Sequence, residues 1–145
     1  GIGMPGHFLV GDKDDATRLL DPFRGKIISS MEAENLFAYL NPSAEFRPEF
    51  LEETSNSTIL LRMLNNLRLI HNKQKSTEDL IRVLDLMVCW ESPPLGEVKQ
   101  LAAALDSLGK TDQAARRLEE IAARSTGDAK QQIEALSTQF WRRLN

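Results

Sequence analysis

Two rhythms of apolar residues divide this chain. Up to residue 28 the apolar positions fall in short runs of strand character, at 6–10, 18–21 and 26–28, separated by glycines and polar residues. Gly11-Asp12-Lys13-Asp14-Asp15 is a polar turn whose Gly-Asp start suits a hairpin between the first two runs. Beyond residue 30 the spacing becomes helical. Met31, Leu36, Phe37 and Leu40 predict a helix over 31–40, stopped by Asn41-Pro42. Residues 41–56 read as a connector rich in Pro and Glu, with Phe46, Phe50 and Leu51 pinning it to a neighbouring surface.

From Ser57 onward the pattern is helical throughout. Ser57 is the expected N-cap of a helix over 58–74, and Ser76 that of a helix over 77–91, with Asp79 as a weak capping-box partner. Helices over 96–108, closed by Gly109, and over 111–124 follow. A last helix is expected over 128–144. Its apolar face holds Ala129, Ile133, Leu136, Phe140 and Leu144, and its polar face includes Ser137.

These helices repeat. Leu67, His71, Leu80, Leu84 and Met87 are matched about 34 residues later by Leu101, Leu105, Ala114, Leu118 and Ile121, the period of tetratricopeptide repeats. Ala102, Leu105, Ala114 and Leu118 alternate small and large as close helix packing requires. In the earlier copy Arg68 and Leu80 replace the small residues, so its helices are expected to sit further apart. A final helix with one polar face suits the cap of an open stack.

Composition narrows the function. Hydrophobic residues make up 41% and charged residues 27% of the 145 residues, as in an ordinary globular protein. The net charge of -3 argues against general nucleic-acid binding. No apolar run approaches the ~20 residues of a membrane helix. One cysteine and two histidines leave no usual zinc spacing, so no metal and no cofactor are expected. A cytoplasmic setting is the default.

The candidate chemistry lies in His7 and Asp21. Each polar residue sits inside an apolar run, and antiparallel pairing of the runs would bring an imidazole and a carboxylate together. That is two-thirds of a nucleophile–histidine–carboxylate site. Spacing alone also allows a structural histidine bonded to backbone, and an Asx turn at Asp21-Pro22. Cys89, in Leu86-Met87-Val88-Cys89-Trp90, reads as inert core rather than a nucleophile. Arg62, Asn65, Asn72 and Lys73 form a polar stripe on the first long helix, either a clamp for an acidic peptide, a surface for a neighbouring domain or a solvated face.

Gly1-Ile2-Gly3-Met4-Pro5-Gly6-His7-Phe8-Leu9-Val10, then Leu20-Asp21-Pro22-Phe23 with Gly25, then Ser55-Asn56 and Leu60-Leu61-Arg62-Met63-Leu64-Asn65-Asn66-Leu67, resemble the bacterial SirB-type proteins. That family joins a transglutaminase-like core to C-terminal tetratricopeptide repeats. The resemblance implies that His7 and Asp21 occupy catalytic positions. It also implies that the cysteine belongs to an N-terminal helical half preceding these strands, so the chain reads as a fragment of a longer protein. The expected fold is mainly α. A short β remnant of a transglutaminase-like core with one helix (1–40) precedes a connector (41–56), two tetratricopeptide-like hairpins and a capping helix (57–145). The expected function is a non-catalytic interaction or support module. The alternatives are part of an acyl-transfer enzyme of cysteine-protease or transglutaminase type, or a peptide-binding scaffold. Its expected partner is a protein or peptide, or its own N-terminal domain, with no nucleic acid and no membrane. Association of copies is expected through an exposed strand segment that includes Phe8, Leu9, Val10, Leu19 and Leu20.

Overall fold

The computed structural model describes all residues except Ala16, Glu91, Ser92 and Asn145. The fold is mainly helical with one small antiparallel sheet. It forms two compact units, Gly1–Leu60 and Leu61–Asn145.

The first unit holds β1 (Val10–Gly11), β2 (Leu19–Asp21) and β3 (Lys26–Ile28) in that spatial order, followed by α1 (Ser30–Leu40). Val10 pairs with Leu20, and Leu20 with Ile27. Side chains alternate across a strand, so Leu19 and Asp21 point inward while Leu20 points out. The core gathers Ile2, Met4, Leu9, Leu19, Ala33, Leu36 and Phe37, with Ile28, Phe46, Phe50 and Leu51 packed on it. The aromatic residues of the connector are thus anchored on α1, and a short 3-10 turn (Pro48–Leu51) helps to place them.

Two expectations change here. Leu9 and Leu19 are covered by the unit's own core, so they are not an association surface. The outward row is Val10, Leu20 and Ile27. The first strand is also shorter than the run 6–10. Pro5-Gly6 reverses the chain, with Gly6 at φ +81, and Leu9 exchanges both backbone hydrogen bonds with Ile2. His7 therefore sits in the arm leaving that turn rather than in a strand of the sheet.

Helix α1 starts on a reciprocal cap. Ser29 Oγ accepts from Glu32 N, and Ser29 N donates to Glu32 Oε2 at 2.7 Å. The signal Ser29-x-x-Glu32 was readable in the sequence. Ser29→Ala should cost about 1 kcal/mol. The check is a denaturant titration of the two proteins, and equal midpoints would refute it.

The second unit contains most of α2 (Asn56–Gln74), then α3 (Thr77–Met87), α4 (Leu95–Ser107), α5 (Thr111–Arg124) and α6 (Gly127–Arg142). Consecutive helices from α3 to α6 pack on one another. Their core includes Leu80, Leu84, Met87, Leu101, Ala102, Leu105, Ala114, Leu118 and Ile121. Every one of these positions was marked by the repeat. Helix α2 behaves otherwise: it buries no residue fully, and Leu67 is 42% exposed where its counterpart Leu101 is 1% exposed. Arg68 replaces a small residue and reaches from α2 to Gln100 on α4 at 2.9 Å.

The caps differ in detail from the sequence reading. Thr58 N donates to Ser55 Oγ, so Ser55 rather than Ser57 holds the start of α2. Ser76 makes no side-chain cap bond, and α3 ends at Met87; the expected end at Glu91 lies outside the described residues. On α6, Ser137 is buried instead of solvated, because its hydroxyl donates to Ala115 O at 3.1 Å across a close contact with α5. Ala129 and Leu144, assigned to the apolar face, are exposed.

Candidate functional site

The site is built on the hairpin turn between β2 and β3. Asp21 ends β2, and Pro22 fixes the next backbone angle so that the chain turns. The carboxylate then closes the turn: Oδ1 accepts from Phe23 N at 3.0 Å and from Arg24 N at 3.2 Å. The backbone carbonyl of Asp21 accepts from Gly25 N at 2.8 Å, and Gly25 sits at φ +63, a conformation suited to glycine. This is the Asx turn that Asp-Pro leads one to expect.

The same carboxylate meets the histidine. His7 Nε2 lies 3.0 Å from Asp21 Oδ1, with side-chain exposures of 13% and 0%. Asp21 Oδ2 is covered and takes no hydrogen bond from the described residues; Arg24 Nε stands 3.8 Å from it. The Phe23 ring lies 5.2 Å from the imidazole, centroid to centroid, and is 75% exposed, so it forms one open wall of the site.

The electrostatics follow from this packing. Burial pushes the Asp21 carboxyl upward, and this is the largest single influence. The hydrogen bond and charge of His7, with the N–H groups of Arg24 and Phe23, together outweigh it, and the carboxyl is held below its usual value. Asp21 is thus an anion at neutral pH, and it faces Nε2 of the imidazole. A carboxylate set against one ring nitrogen can orient a histidine for proton transfer at the other.

The other sequence candidates lie on α2. Asn65 Oδ1 accepts from Arg68 Nη2 at 2.8 Å and from Nε at 3.2 Å, so it is engaged within the helical unit. Arg62 is half-buried, while Asn72 and Lys73 are exposed. Cys89 is exposed, not core; it falls in the turn after α3, and its Sγ donates to Asp85 O at 3.1 Å. Among the described residues no group of His, Cys, Asp and Glu could hold a metal ion, and no helix is long and apolar enough to cross a membrane. The sequence reading missed Phe23 and Arg24 as neighbours of the pair. The Leu-Asp-Pro-Phe motif contained the first, whereas nothing in the pattern marked the second.

Residues 1–65, which contain the pair and its turn, match the model of the Transglutaminase-like superfamily. The UPF0162 protein PA3419 of Pseudomonas aeruginosa is 30% identical over 105 residues, which are 72% of this chain and 38% of that protein. The chain therefore spans well under half the length of that relative. No solved structure matches it.

Proposed function

We propose that this chain is the C-terminal portion of a transglutaminase-like protein of the SirB type, acting as a support and interaction module that is catalytically silent by itself. One observation carries the reading: the anionic Asp21 is fully covered and set against His7 inside the stretch that matches the superfamily. A histidine and an acid without an activated nucleophile can orient and move a proton but cannot form an acyl intermediate. Cys89 is a poor candidate for that nucleophile, because its thiol is bonded to a backbone carbonyl.

The module reading assigns residues 57–145 to two tetratricopeptide-like hairpins and a cap. The burial of Ala102, Leu105, Ala114 and Leu118 supports the second hairpin. The exposed row Val10, Leu20 and Ile27 supports a protein partner for the sheet, either a further part of the same protein or a second copy, in a cytoplasmic setting. The intact pair also favours a second reading, in which the whole protein is an acyl-transfer enzyme and this chain supplies its histidine and acid.

The test is an assay of amide hydrolysis and of amine incorporation into glutamine-containing peptides. The chain alone should give no turnover. Turnover that is lost in Cys89→Ala would overturn the proposal.

A further inference from the structure

One side chain outside the pair holds the turn that carries His7. Asn41 ends α1, and its backbone N–H donates to Phe37 O at 2.8 Å. Its side-chain Nδ2 donates to the same carbonyl at 3.2 Å and also to Pro5 O at 3.1 Å. One amide thus ties the end of a core helix to the turn at Pro5-Gly6. The turn is closed from within by His7 N donating to Met4 O at 3.0 Å. The fit over Gly6 is close, since a Cβ there would stand 3.3 Å from Asn41 Nδ2 and 3.4 Å from Leu40 Cβ.

We propose that Asn41 is a positioning residue for His7, holding the Pro5-Gly6 turn against α1 so that the imidazole meets Asp21. The proposal rests on reading His7 and Asp21 as a working pair. The chemistry favours an amide at this position. Two carbonyls converge on it, and only a side chain with two N–H donors on one nitrogen serves both. An aspartate would turn oxygen towards both carbonyls, and an alanine would leave Pro5 O without this donor. Helix α1 is anchored through Ala33, Leu36 and Phe37, so the turn inherits the rigidity of the core.

The experiment follows the Asp21 carboxyl carbon by NMR across pH in the full chain. His7→Ala should raise the Asp21 midpoint, because the imidazole is one of the groups holding it down. Asn41→Ala and Asn41→Asp should each produce most of that upward shift while amide protection along α1 persists. Adding Asn41→Ala to His7→Ala should shift it no further. A merely structural role would loosen the unit without this coupling. If His7→Ala moves the midpoint and folded Asn41 variants do not, the positioning role is overturned and the pair stands. If His7→Ala leaves Asp21 unmoved, the pair itself fails, and the positioning role fails with it. Should the Asn41 variants not fold, Gly6→Ala displaces the turn from the intact amide and must give the same shift. An unmoved midpoint there overturns the proposal.

Discussion

Asp21→Ala should destabilise the first unit by about 3 kcal/mol, the scale expected when a buried carboxylate is taken from the hydrogen-bond donors it serves. The carboxylate is fully covered and accepts from Phe23 N and Arg24 N while facing His7. Alanine leaves these N–H groups without their acceptor, and the hairpin turn loses its closure. Asp21→Asn should cost less, because one oxygen remains to accept from the turn. The pH dependence has a definite sign. The folded carboxyl titrates below its unfolded value, so its stabilisation is complete above the unfolded value and is lost as the pH falls through the folded one. Urea midpoints taken from neutral pH down to pH 2 should fall below about pH 4 in the wild type, with a component that Asp21→Asn lacks. Parallel curves for the two proteins would show that the pair contributes nothing to acid stability.

Phe37→Ala should be at least as damaging, at about 3–5 kcal/mol. The ring is almost wholly buried and packs 5.6 Å from the Phe46 ring and 5.2 Å from the Phe50 ring, between centroids. Removing it opens a cavity where three aromatic rings meet and takes away the surface on which the connector rests. Amide exchange should therefore accelerate through α1 and residues 41–51, while α5 and α6 in the other unit keep their protection. Unchanged exchange in the connector would mean that Phe46 and Phe50 find other support and that the aromatic cluster is not what holds the segment.

The helical half was readable because helix packing is local and periodic. Leu84, Leu101, Leu105, Leu118 and Ile121 are buried where the repeat placed them. Helix α2 was less readable. Its apolar residues follow helical spacing, yet Leu60, Met63, Leu67 and Ile70 are exposed, because periodicity shows that a face is apolar and not what covers it. Ser137 and Cys89 were misplaced for the converse reason. A serine is buried where a carbonyl on the next helix accepts its hydroxyl, and a cysteine in an apolar run is exposed where the helix has already ended.

The sequence by itself determined the division between a Gly-rich strand segment and a helical remainder, the type of nearly every element, and His7 and Asp21 as the residues to compare. Those follow from backbone preferences and from spacing along the chain. Tertiary structure decided the rest. The Pro5-Gly6 reversal moved His7 out of the strand, the Asx turn fixed the Asp21 carboxylate, and Asn41 joined α1 to residues 36 positions earlier in the chain. Each of these depends on groups distant in sequence converging on one carbonyl or one carboxylate. Periodicity cannot report such convergence, because it carries no information about which surfaces meet.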